Sequence, residues 1–106
     1  MLIFVELPEE LRNKVQIGEL LYASGVVAAN AVKDFKENIR NLIGGPMHHY
    51  EELVEKAIDR AIDRLKDRAR RAGYDGLTGF RISHPSLVEG GAEVVVYANG
   101  FRFKRD

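Results

Sequence analysis

Two adjacent histidines, His48 and His49, stand four and three positions ahead of Glu52 in this chain. Imidazole and carboxylate are the donors that hold borderline divalent metals. On a helix, His48 and Glu52 (i, i+4) share a face, and so do His49 and Glu52 (i, i+3). The two histidines point about 100° apart, so one ion does not take both from one chain. A pair of donors falls short of the three or four that a tight zinc-type site uses. A symmetry axis that repeats the pair in a second copy would supply the rest. The competing reading of the same residues is a polar, solvated helix start. The sequence has no cysteine, which removes the thiolates that soft heavy metals prefer. No cofactor is required by these residues; a divalent metal is one that they could take, with His48, His49 and Glu52 as its candidate ligands. His84, ahead of Pro85, has no companion donor nearby in the chain and reads as a surface residue.

Other residue patterns also bear on chemistry. Gly44–Gly45 ahead of a helix resembles an anion cradle, but no Lys–Ser/Thr follows and Pro46 lacks a donor, so turn chemistry is the better reading. Arg60, Arg64, Arg68 and Arg71 form a basic row on the helix. Asp59, Asp63 and Asp67 run beside it, so the expectation is ion pairs, within the helix or between subunits, rather than phosphate contacts. Tyr97, Phe101 and Phe103 could stack on a planar ligand; core or interface packing is the plainer expectation. No nucleophile elbow and no HExxH metal motif is present, so no enzyme activity is expected.

The 106 residues suffice for one domain, 1–106, and not for two. Sixteen basic residues balance sixteen acidic ones. A neutral chain gives no electrostatic argument for nucleic acid or an anionic membrane as partner. No apolar run approaches the roughly 20 residues of a membrane span. The initial LIFVEL is too short, and lacks the basic leader, for a signal peptide. A cytoplasmic protein is the expectation.

The element that positions the candidate ligands is a helix predicted over 46–73. Tyr50, Leu53, Val54, Ala57, Ile58, Ala61, Ile62, Leu65, Ala69 and Ala72 recur with the spacing of one helix face. Gly44, Gly45 and Pro46 stop what precedes, and Gly73 is placed for a left-handed C-terminal cap. Acid gathers at the start and base at the end, as the helix dipole favours. About 25 residues make a helix of roughly 37 Å, long for a domain whose radius of gyration should be near 13 Å. Ahead of it, 2–7 reads as a short strand, 9–14 as a turn or a single helical turn, 17–28 as a strand or a bent pair of strands and 31–43 as a short helix capped by Asn30. In the 17–28 strand, Leu20, Tyr22 and Val26 take one face and Leu21, Ala23 and Val27 the other; Gly25 suggests a bulge or bend. After the helix, a strand through Phe80 and Ile82, a loop over 85–91 and a last strand over 92–104 complete an α+β layer with an antiparallel sheet against the helix. Both faces of the first and last long strands are apolar, so neighbouring subunits are expected to cover what the helix does not.

The residues Ala29–Asn30, Lys33–Asp34–Phe35, Ile39–Arg40–Asn41–Leu42–Ile43–Gly44–Gly45 and Tyr50, followed by the helix with Ala57, Ala61, Leu65 and Ala69 and its exit at Gly73–Tyr74–Asp75, resemble the YbjQ-like family. Its members are labelled heavy-metal-binding domains. The likeness runs from about Val15 to Phe103. It implies a β-α-β-β dodecin-like fold assembled as a homo-oligomeric ring, a pentamer, that binds a metal or small ligand; the alternative is a purely structural ring without a ligand. The chain departs from the family pattern at Thr78–Gly79–Phe80 and at Ser24–Gly25–Val26–Val27, and its first residues are more apolar. The resemblance carries no catalytic residues.

Overall fold

Small residues decide how closely the long helix approaches the sheet. The structure is a computed structural model, and it describes residues 1–28, 48–88 and 91–105. Helix α1 is His48–Arg71, within the predicted 46–73. Leu53, Ala57, Ala61, Leu65 and Ala69 form its buried stripe, with Val54, Ile58 and Ile62 half-buried alongside. The helix ends as its sequence predicts. Gly73 takes φ +81, its N–H donates to the Arg70 carbonyl at 3.0 Å, and the Tyr74 N–H donates to the Ala69 carbonyl at 3.0 Å. This is a Schellman closure, with Tyr74 packed back on the core. Arg102 caps the same terminus, donating to the carbonyls of Ala72 (2.7 Å) and Gly73 (3.2 Å).

The strands are β1 (Leu2–Ile3), β2 (Val15–Ala28), β3 (Gly76–Ile82), β4 (Ser86–Val88) and β5 (Gly91–Phe103), with a 3-10 turn at Glu9–Leu11. The sheet order is β1-β3-β5-β2, with β4 also on β5. The expected succession of strand, long helix and strands is present. Three differences from the sequence reading stand out. The first strand is only two residues long and pairs parallel with β3, so the sheet is mixed. The 85–91 loop contains β4, which pairs with the start of β5. Gly25 sits in an unbroken β2–β5 register. A Cβ there would lie 2.8 Å from the Ala61 nitrogen and 3.0 Å from the Ala57 carbonyl carbon, so this glycine admits the helix backbone rather than a bend. The short helix expected over 31–43, its Asn30 cap and the Gly44–Gly45–Pro46 stop lie outside the described residues.

The register shift in β2 falls instead between Ile17 and Leu20. Tyr74 occupies that spot. Its ring lies between Gly18 and Gly100, where an added Cβ would come within 2.8 and 2.7 Å of ring atoms. The Tyr74 hydroxyl accepts a 2.8 Å hydrogen bond from the Glu19 N–H, and Asn99 Nδ2 donates to the Gly18 carbonyl at 3.2 Å. The backbone groups freed by the irregularity are therefore satisfied by side chains. Gly79, at φ +70, lies within a second shift, between Thr78 and Arg81.

One sheet face is closed by α1 through Ala23, Val27, Ala92, Val94, Val96 and Ala98. On the other face Phe4 stacks over Phe101 at 6.2 Å near β1. Farther along, Leu20 (58% exposed), Tyr22 (63%), Val26 (48%) and Tyr97 (40%) remain open. The surplus apolar surface therefore lies on the sheet, while the apolar stripe of the helix is covered within its own chain. The molecule is elongated, 60 × 25 × 17 Å, with a radius of gyration of 17.2 Å, well above the roughly 13 Å of a compact chain of this size.

Candidate functional site

Strand β2 is an edge of the sheet. Alternate residues of an antiparallel edge strand point both N–H and C=O outward. Here three of those carbonyls are taken by one row of helix side chains. Arg60 donates to the Val26 carbonyl at 3.0 Å and Arg64 to the Ser24 carbonyl at 2.8 Å, with Ser24 Oγ at 3.4 Å. Arg68 donates to the Tyr22 carbonyl, and its guanidinium lies 5.8 Å from the centre of the Tyr22 ring. Arginines four apart on a helix thus meet carbonyls two apart on an antiparallel strand, because both spacings are close to 6–7 Å. Within one chain, backbone carbonyls thus take the place of the expected intrahelical ion pairs for Arg60, Arg64 and Arg68. Only Asp67 among the three aspartates makes one in the described residues, to Arg70 at 3.3 Å. The signal was local but its partner was not: the arginine spacing is visible in sequence, whereas the carbonyls lie 34 to 46 residues away.

Below this row the surface opens into a shallow cleft of about 200 Å³ lined by Arg64, Asp67, Arg68 and Arg71. Arg64 and Arg68 are pinned through one nitrogen each. A guanidinium carries five N–H donors in a rigid fork, so each keeps donors beyond those that the strand takes.

The sequence-predicted metal ligands are only partly located. His48 and His49 open α1, and Glu52 lies one turn on, exposed. The helical backbone keeps His48 and Glu52 at i, i+4; the histidine side chains fall outside what the structure describes. Among the described residues no three His, Asp or Glu side chains gather in a metal-binding group. The donor set of His48, His49 and Glu52 suits a borderline divalent cation and not a thiolate-seeking one. One chain offers it too few ligands, so the fit depends on a second copy. His84 is exposed between β3 and β4. Of the aromatics, Phe101 is fully buried and set edge-on to Phe103 at 5.7 Å, while Tyr97 lies open opposite Tyr22. No helix among the described residues is long and apolar enough to cross a membrane.

Comparison with known proteins agrees with this architecture. A structure of a protein of unknown function in the DUF74 family from Pediococcus pentosaceus superposes with a TM-score of 0.66 over 98% of both chains at 17% identity, a likeness of fold. A UPF0145 protein from Halorubrum lacusprofundi is 34% identical over 103 residues, covering 90% of this chain and 99% of its own. A UPF0145 protein from Psychrobacter arcticus is 32% identical over 84 residues; the match takes in 79% of this chain but only 53% of that protein. The model of the YbjQ family, described as "putative heavy-metal-binding", matches residues 7–101. With nearly the whole chain matched by that model, and a UPF0145 relative aligned almost end to end, this protein belongs to the YbjQ (UPF0145) family.

Proposed function

We propose that the chain acts as a self-assembling binding protein rather than as an enzyme, and that copies associate through the sheet face opposite α1. The observation that carries this reading is the row Leu20, Tyr22, Val26 and Tyr97, exposed side by side on β2 and β5. Contiguous apolar surface of this kind marks an interaction site more often than free monomer surface. The elongated subunit adds to it: a 60 Å body only 17 Å thick gains buried area most directly by laying sheets or flanks together. A second copy is the occupant proposed, its flank seated on this face; a contact between two different surfaces repeats around a closed ring. A ring of five is the form that the family resemblance implies. In such an assembly His48 and Glu52, one helical turn apart, would meet equivalents from neighbours, and imidazole with carboxylate would hold a divalent cation.

Native mass spectrometry of untagged protein tests both parts. The expected spectrum is a multiple of the 11.9 kDa subunit, and Tyr22→Glu with Tyr97→Glu should reduce it to monomer while leaving the helical circular dichroism intact. A wild-type monomer at micromolar concentration would sink the assembly reading. Divalent-metal binding by His48→Ala/His49→Ala as tight as by wild type would remove the metal reading alone.

A further inference from the structure

We propose that the cleft formed by Arg64, Arg68 and Arg71 beside the β2 edge is a binding site for a phosphoryl anion. Carbonyls of Tyr22, Ser24 and Val26 are occupied by guanidinium donors. The N–H groups of those residues point the same way. An ordinary strand edge offers donors and acceptors alternately and invites another strand. This edge has its acceptors engaged, so what it presents outward is donors and positive charge. A strand fits such a surface poorly; a ligand made of acceptors fits it well.

The guanidiniums are also held in place beforehand. Arg64 is fixed by the Ser24 carbonyl and hydroxyl, and Arg68 by the Tyr22 carbonyl and ring. Ordering long side chains is a large part of what an arginine site loses on binding, and here the strand has already ordered two of three. Arg71 lies in the last turn of α1 and completes the wall. Asp67, the one acid in the cleft, is engaged by Arg70 at 3.3 Å, so the cleft keeps a positive balance. Forked donors around an open cleft match the oxygens of phosphate. About 200 Å³ leaves room beyond the phosphoryl group for the organic part of a small ester. The chain as a whole carries zero net charge, which favours a small anion over a polyanion. The site is built within one subunit and does not rest on the assembly reading.

The test is a titration of the full-length protein with inorganic phosphate, and in parallel with glycerol phosphate, at low ionic strength. Binding is followed by calorimetry and by the side-chain Nε–H resonances of the arginines. Saturable shifts at Arg64, Arg68 and Arg71 are expected, tighter for the ester if the ligand is a phosphomonoester and equal if it is free phosphate. Arg71→Gln should weaken binding about tenfold, the scale of one charge-assisted contact. Arg60→Gln removes the same charge from the same helix outside the cleft, and should change the constant less than about twofold if only screening is altered. Arg68→Lys keeps the charge but loses the fork, and should also weaken binding, which holds the test open if Arg71→Gln unfolds. Equal losses from the Arg60 and Arg71 variants, the same resonances shifted as far by chloride, or no saturation would each overturn the proposal.

Discussion

Replacing Gly25 with alanine adds one methyl group at the point where β2 and α1 touch. The new Cβ would stand 2.8 Å from the Ala61 nitrogen and 3.0 Å from the Ala57 carbonyl carbon, and closer still to the carbonyl oxygen of Ala57. Comfortable contact is about 3.5–4.0 Å, so the helix must retreat by roughly 1 Å. The obstructing atoms are backbone, which no rotamer change can move aside. A gap of that size forfeits a quarter to a half of the dispersion well at each contact, and the contacts at stake include Ala57 and Ala61, both at most 1% exposed. Overpacking of this kind costs about 1–3 kcal/mol, and a backbone obstacle places it at the upper end. Alanine stabilises by about 0.4–1 kcal/mol through the unfolded chain, leaving a net loss of about 2 kcal/mol. That corresponds to a fall of roughly 8–16 °C in Tm for a domain of this size. The assay is a thermal melt by circular dichroism at matched subunit concentration, since assembly makes Tm depend on concentration. A Tm equal to or above wild type would refute the close approach, because only an open position can accept the methyl group without loss.

Further substitutions probe the other contacts. Tyr74→Phe removes the acceptor for the Glu19 N–H and should lower stability by about 1–2 kcal/mol in urea titration; an unchanged midpoint would mean that the β2 irregularity is satisfied without it. Gly100→Ala drives a Cβ to within 2.7 Å of the Tyr74 ring, so its loss should exceed that of Tyr74→Phe, and in the Tyr74→Phe background most of the clash should persist because the ring remains. Arg102→Ala removes two carbonyl hydrogen bonds at the end of α1 and a guanidinium 4.1 Å from the centre of the Tyr74 ring; amide exchange should quicken in the last helical turn before it does at Ala57. Replacing Arg60, Arg64 and Arg68 together by glutamine frees the edge carbonyls, and thioflavin-positive aggregation should rise on mild heating; equal solubility to wild type would count against edge protection.

The helix was readable because its signals are local. The apolar repeat, Gly73 and the basic last turn all lie within the segment that they describe. The long strands β2 and β5 were readable for the same reason, and Leu20, Tyr22 and Val26 share a face as their alternation predicts, whereas the three-residue β4 is too short to show a pattern. What escaped the sequence depends on partners far along the chain. Gly25 gives the same letter whether it bends a strand or admits a helix, and only Ala57 and Ala61 across the interface decide between them. The β2 irregularity is tied to a tyrosine hydroxyl 55 residues away. The basic row was visible, but charge pairing with neighbouring aspartates was the nearest explanation, and backbone carbonyls do not show in a sequence. The histidine pair marked a candidate site that one chain does not complete.

Where α1 crosses β2 most closely the contact is smooth: Ala57, Ala61, Ala23 and Gly25 offer no large knob at that point to stop the helix sliding lengthwise. The arginine row acts as a vernier on that slide. Its rungs advance about 6.0 Å per four helical residues, whereas the carbonyls advance about 6.8 Å per two strand residues. The two scales drift by about 0.8 Å per rung. Flexible side chains absorb that drift over three rungs, and a longer run would fall out of step. Sliding by one helical turn would have to break all three bonds at once. A slide by one rung could re-form only two of the three bonds, so the observed register is favoured, and sheet and helix can meet closely without losing their alignment.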